Sequence, residues 1–227
     1  MIAEEYNYHQ NPRISIPKGK TISVIVQVLK QVHDFFILAL KDDSILKPLN
    51  EDKLTQILVE QINALLLEQE FPIQALPQYQ DIYLGSKGKP DFYFTEIEKG
   101  KTNKPLFIVE SKILPAPPPK ERKKEYVIGV KKNGGIERYK IEKHGKGLNE
   151  CGLIGFIKEN EFEYWQTQIN VWIDEIAIDN SFWNIDEKIK IRENKTNFAF
   201  LQSIARRQNT DDLTLYHFWI NTSDKKM

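Results

Sequence analysis

The chain has 227 residues, enough for one substantial core, and its 32 basic and 32 acidic residues balance, so any nucleic-acid or membrane site must be a local patch. A single cysteine, Cys151, excludes an internal disulfide framework and a cysteine-rich zinc site and suits a reducing cytosol. The opening MIAEEYNYHQ lacks the apolar stretch of a secretory signal, and the longest apolar run, FFILAL, is far too short to span a bilayer, so a soluble, cytoplasmic protein with no membrane partner is expected.

Residues 1–20 read as irregular, with ISI at 14–16 the one candidate strand. From 21 to 41 the apolar positions Ile25, Leu29, Val32, Phe36 and Leu40 recur at helical spacing, although the β-branched opening SVIVQV also fits an extended start; both readings make the segment core. NEDKLTQILVEQINALL, 50–66, is a helix with Asn50 as its N-cap. Pro72 and Pro77 close it off before a first strand expected at 81–84.

KPDFYFTEIEKGKTNKPLFIVESKI, 89–113, reads as an antiparallel hairpin: two aromatic and β-branched runs around a charged, Gly-containing turn. A turn centred on Gly100 and Lys101 makes cross-strand partners sum to about 201, pairing Phe92 with Val109, Phe94 with Phe107 and Asp91 with Glu110, side chains roughly 5 Å apart at Cβ. Side chains alternate along a strand, so Glu110 and Lys112 share a face and Ser111 points the other way. Two carboxylates and a lysine thus converge at one end of the hairpin. Two readings are open: a solvated salt-bridge network of little energetic worth, or a site in which a divalent cation supplies the counter-charge that paired carboxylates need.

LPAPPPKERKKEYVIGVKKNGG follows, its proline run favouring an extended loop. Six basic residues (Lys120, Arg122, Lys123, Lys124, Lys131, Lys132) and two acidic ones lie in it. GGIERYKIEKHGKGLNECGLIGFI, 134–157, reads as a short helix and an apolar strand, with Cys151 a packing residue. In EFEYWQTQINVWIDEIAI, 161–178, Phe162, Trp165, Ile169, Trp172, Ile173 and Ile176 form one helical stripe, a core or dimer face. The last segment, 197–221, reads as two strands around a polar turn; Arg206, Arg207 and His217 read as satisfied residues before substrate contacts. The glycines at 145–155 lack G-x-G-x-x-G spacing, the four histidines lack any zinc pairing, and no serine-hydrolase elbow or Walker A sequence appears.

Pro90-Asp91, followed nineteen positions on by Glu110-Ser111-Lys112 at the end of an apolar strand, resembles the PD-(D/E)XK nuclease superfamily. The order of elements, helix, motif strands, helix, strand, matches that superfamily's core over roughly residues 45–160. The Arg138-Tyr139 pair and the His144-Gly145 turn are similar to restriction-like proteins of bacterial defence loci. The resemblance implies a restriction-endonuclease-like α/β core, a central mixed sheet flanked by helices. It also implies one globular unit, with residues 1–44 an N-terminal segment whose helix packs on the nuclease domain at 45–227.

Carried over, Asp91 and Glu110 bind Mg²⁺, which Mn²⁺ can replace, with the Ser111 carbonyl completing coordination, and Lys112 orients the attacking water. Superfamily members often place an acid on the preceding helix. Helical phase selects Glu51, one turn ahead of Leu54 on the face turned to the sheet, over Glu60 on the far side; a first-turn acid favoured by the helix dipole is the alternative for Glu51. Lys120, Arg122, Lys123 and Lys124, leaving the sheet just after Lys112, are either a solvated loop or phosphate contacts, and Arg138 joins them as a nucleic-acid candidate. The expectation is a metal-dependent endonuclease acting on DNA in a restriction or anti-phage system, its specificity either supplied by a protein partner or low, with a homodimer as a further candidate assembly. An RNase and a non-cleaving, nucleic-acid- or partner-binding member of the fold are the alternatives.

Overall fold

The computed structural model describes residues 20–100 and 102–223; the candidate strand at 14–16 lies outside them. Helices α1 (Thr21–Gln31) and α2 (His33–Ala39) follow one another across a break at Val32. The SVIVQV opening is helical, because Ile25, Val28 and Val32 share one buried face with Phe36, and that packing overrides β propensity. Helix α3 (Glu51–Glu68) starts where expected, with Asn50 accepting the Lys53 N–H at 2.9 Å.

The first strand, β1 (Ile73–Pro77), lies earlier than expected. Residues 81–84 are not a strand, because the Asp81 carboxylate accepts the N–H groups of Tyr83, Leu84 and Ser86 and folds the segment on itself. Strands β2 (Phe92–Glu96) and β3 (Phe107–Leu114) form the expected hairpin, Phe92 opposite Val109 and Phe94 opposite Phe107, but the ladder ends there, so the expected pair of Asp91 with Glu110 is not part of it. After β3 the proline segment gives way to a 3-10 turn at Lys120–Arg122. Helix α4 (Gly135–Lys140), strand β4 (Glu150–Ile157) and helix α5 (Phe162–Asp179) follow, then β5 (Lys190–Asn194), β6 (Phe198–Ala205) and β7 (Leu213–Asn221).

These strands make one mixed seven-stranded sheet of order β1-β2-β3-β4-β7-β6-β5, with β3, β4 and β7 parallel at its centre. Alternation divides the side chains between two layers. Phe92, Phe94, Phe107, Val109 and Phe218 join α1, α2 and α3 on one face; Ile108, Leu114, Leu153 and Trp219 join α4 and α5 on the other. The α5 stripe faces this core, although Ile176 is only partly buried. Cys151 is fully buried, its thiol pushed up to about 12 by that burial, as befits a packing residue.

Among the described residues no single helix is long and apolar enough to cross a membrane; α1 and α2 together pass that test, but they bend by 41° and pack into the core. The edge strand β1 is tied to α3 by Asn63, whose side chain accepts from Ala75 N at 2.8 Å and donates to Ala75 O at 2.9 Å. Asn63→Ala leaves both backbone groups unpaired and is expected to cost about 1–3 kcal/mol, read as a lower urea midpoint at unchanged slope.

Candidate active site

The β2–β3 ladder stops at Phe92 and Val109, yet β3 runs on to Leu114 beside β4. Its N–H groups at Ser111 and Ile113 therefore face an edge with no strand. Buried donors need acceptors, and two carboxylates supply them: Asp91 Oδ2 accepts from Ser111 N at 2.6 Å, and Glu51 Oε2 from Ile113 N at 3.1 Å. Asp91 reaches this place because it immediately precedes β2; Glu51 reaches it as the first residue of α3.

Glu110 and Lys112 alternate with Val109 and Ile113 and so point to the opposite layer, that of α4. Lys112 is 5% exposed and Glu110 is completely buried. The ammonium group donates to Glu110 Oε1 at 2.9 Å, Glu51 Oε1 at 2.9 Å and the Ser111 carbonyl at 2.6 Å, which uses all three of its hydrogens. Burial alone would lower the Lys112 pKa, but Glu110, Glu51 and Asp91 outweigh it and raise it above the usual lysine value. Glu60 is exposed and accepts from Gln56 Nε2 at 3.0 Å; it lies not on the far side, as expected, but in the same groove as Asp91.

Glu110 Oε1 also accepts from Arg138 Nη1. Its Oε2 lies 3.3 Å from His144 Nδ1 without hydrogen-bond geometry, so both atoms are buried and unpartnered. His144 is held down at about 4, chiefly by burial, with Arg138 and Lys112 adding to the effect against the pull of Glu110. The imidazole is thus neutral at neutral pH, and its approach to Glu110 is a polar contact, not an ion pair. Asp91 is pushed up to about 8, first by burial and then by the charge of Glu110. Glu51 is raised by burial, with Lys112 opposing.

A groove of about 630 Å³ between α3 and the end of the β1–β2 pair, lined by Asp52, Thr55, Val59, Glu60, Pro77 and Gln78, opens onto Asp91. Among the described residues no three His, Cys, Asp or Glu side chains are grouped as a ready metal centre. The donors a cation would meet are instead Asp91, Glu110 with its unpartnered Oε2, and the Ser111 carbonyl. These hard oxygen donors fit Mg²⁺ or Mn²⁺, which take one or two carboxylates and complete their shell with water or phosphate.

The structure brings together Asp91, Glu110, Lys112 and Glu51, with Ser111 between Glu110 and Lys112 on β3. The basic candidates divide differently. Arg138 turns inward to Glu110, Arg122 pairs with Glu125 at 2.6 Å, and Lys124 pairs with Glu175 of α5 at 2.6 Å. Lys120 and Lys123 line a separate groove beside Trp165 and Trp172. Tyr126 is buried, bonded to His217 and Trp219; Arg206 pairs with Asp186, and Arg207 donates to three backbone carbonyls. Sequence reasoning missed the placement of Arg138 and His144 on Glu110. The available signal was charge balance: a wholly buried glutamate among other acids needs more than one cation.

No family model, curated protein or solved structure matches this chain.

The raised Asp91 pKa has a consequence for stability. An acid whose folded value lies above its ordinary 3.8 binds its proton more tightly when folded, so stability falls as pH rises from about 4 to about 8, and the penalty is complete above that. Asp91→Asn keeps an oxygen for the Ser111 N–H and removes the charge. In metal-free buffer it is expected to raise Tm at pH 8 and to leave it unchanged near pH 3.5, measured by thermal denaturation across that range.

Proposed function

We propose that this protein is a metal-dependent nuclease with a restriction-endonuclease-like core, hydrolysing phosphodiester bonds in DNA. The observation that carries the reading is the cluster at the broken edge of β3: Asp91, Glu110 and Glu51 around a charged Lys112, with one Glu110 oxygen buried and unpartnered. A purely structural ion-pair network has no use for such an oxygen, which costs stability wherever no ligand meets it.

Bound to Asp91, Glu110 and the Ser111 carbonyl, Mg²⁺ would lower the pKa of a coordinated water and neutralise charge developing on the phosphoryl oxygens. The chain's own residues do the rest. Lys112 stays protonated, so it donates hydrogen bonds to the attacking water or to a phosphoryl oxygen and takes up no proton. Release of the Ser111 carbonyl frees one ammonium hydrogen for that purpose. Glu51 holds Lys112 in place from the far side while occupying the Ile113 N–H, which makes it a positioning residue. Arg138 holds Glu110 from the α4 side. Burial excludes water from Glu110 and so strengthens each of these interactions. The resemblance of the Arg138-Tyr139 and His144-Gly145 pairs supports a place in a restriction or anti-phage system.

The test incubates purified protein with supercoiled plasmid, single-stranded DNA and RNA, each with Mg²⁺, Mn²⁺ or EDTA. Metal-dependent cutting of DNA is expected; preferential cutting of RNA makes it an RNase, and binding without cutting under every condition overturns the enzyme reading. Asp91→Ala, Glu110→Ala and Lys112→Ala are each expected to abolish cleavage. Glu51→Gln is expected to reduce cleavage or metal affinity by about 10- to 100-fold, and Glu60→Gln to behave as wild type in the same Mg²⁺ titration.

A further inference from the structure

Two loops beside the acidic cluster are locked backbone to backbone. The first, 81–90, is folded by Asp81, which accepts three of its N–H groups and the Tyr79 hydroxyl. Those N–H donors outweigh burial and hold the Asp81 carboxyl well below the usual range, so its charge is satisfied within the loop. The second, 141–148, follows α4 and carries His144. Gly88 N donates to the Lys143 carbonyl at 3.1 Å, and Lys146 Nζ donates to the Leu84 carbonyl at 3.1 Å. The fit at Gly88 admits no side chain: a Cβ there would lie 2.1 Å from the Lys143 oxygen and 2.2 Å from His144 Cδ2. A Cβ at Gly147 would likewise lie 2.6 Å from Leu84 Cδ1.

This packing gathers lysines. Lys87 and Lys89 flank Gly88 and are exposed, Lys143 is half-buried and Lys146 exposed. Among the described residues none of the four lies within ion-pair distance of a carboxylate. A fifth, Lys104, lies over the Tyr83 ring at 5.3 Å. The nearest acid of the second loop, Glu142, accepts from Thr210. Both loops abut the cluster directly: Lys89 is two residues before Asp91, and His144, next to Lys143, faces Glu110 at 3.3 Å. In the 120–124 loop Arg122 and Lys124 pair with Glu125 and Glu175, and Lys120 and Lys123 line the separate groove beside Trp165 and Trp172.

We propose, on the basis of the nuclease reading, that Lys87, Lys89, Lys143 and Lys146 form the phosphate-contacting surface that lays a nucleic-acid backbone across Asp91 and Glu110. The chain's charges balance overall, so a local set of lysines that meet no carboxylate among the described residues, placed next to the acids, is what allows a polyanion to approach them. Without it, the exposed Asp52 and Glu60, which line the same groove as Asp91, would repel each phosphate.

The experiment is a salt titration of binding, followed by fluorescence anisotropy with labelled duplex DNA, single-stranded DNA and RNA, in Ca²⁺ and in EDTA. Wild type is compared with the combined Lys87→Gln, Lys89→Gln, Lys143→Gln, Lys146→Gln variant and with a charge-matched control, Lys41→Gln, Lys188→Gln, Lys190→Gln, Lys195→Gln. The loop variant is expected to bind at least about tenfold more weakly, with the slope of log affinity against log salt reduced by about 0.9 per lost contact on duplex DNA and about 0.7 on single strands. The control is expected to keep the wild-type slope. The probe with the largest wild-type slope and the largest loss identifies the polymer. An unchanged slope in the loop variant, with wild type binding normally, overturns this surface and leaves the nuclease reading standing. An equal loss in both variants overturns it too, since binding is then diffuse. Absence of wild-type binding to all three probes overturns both.

Discussion

A strand that loses its neighbour halfway along must find other acceptors for its N–H groups, and β3 loses β2 at Val109 while remaining in the buried centre of the sheet. The Asp91 and Glu51 carboxylates fill that place at Ser111 and Ile113. Everything else in the site follows from having two acids on that edge. They are joined by Glu110 on the same strand, and three carboxylates in a water-poor setting need cations close by. Lys112 contacts two of the acids, and Arg138 contacts Glu110 from the neighbouring helix.

The apolar layers explain why the edge is where it is. Phe92, Phe94 and Phe107 anchor the hairpin under α3, and the alternation that buries them on that face sends Glu110 and Lys112 to the other. On the second face, β4 lies parallel to β3 and brings α4 across it, which is how Arg138 comes to Glu110. Close approach within the sheet depends on small residues as well: Gly155 lies opposite Trp219, where a Cβ would come within 2.4 Å of the indole. The polar cluster is therefore held by packing that is independent of its charges.

Much of this was legible in the sequence, for reasons that can be separated. The hairpin register followed from the symmetry of two apolar runs about a polar turn, and Glu51 followed from helical phase, since both are local periodicities. The 81–84 strand was wrong because a short aromatic run does not show that Asp81 will take the surrounding N–H groups for itself. Strand β5, KIREN, was missed because an edge strand exposed along alternate positions carries little apolar signal. The contact of Arg138 and His144 with Glu110 depends on the parallel β3–β4 pairing. Such a pairing is non-local and leaves no mark in spacing. Spacing likewise does not show which loop cations are already paired: Lys124 finds its partner, Glu175, on a helix far along the chain.

Charge counting within the cluster connects the fold to the chemistry proposed for it. Burial and the charge of Glu110 favour the protonated form of Asp91, and in that form two carboxylates face two cations and the buried group is balanced. Loss of that one proton leaves a single negative charge on an oxygen pair already oriented by the Ser111 N–H, beside an unpartnered Glu110 oxygen. Apolar side chains at 110 and 112 would serve the sheet at least as well, because burying paired charges rarely gains stability over well-packed hydrophobes. The ladder, however, still needs acceptors at 111 and 113. The same carboxylate oxygens that complete the backbone hydrogen bonds are thus fixed in position before any ligand arrives, so no side chain has to be ordered at the moment of binding. Preorganisation of this kind is what makes electrostatic catalysis strong in a dry site.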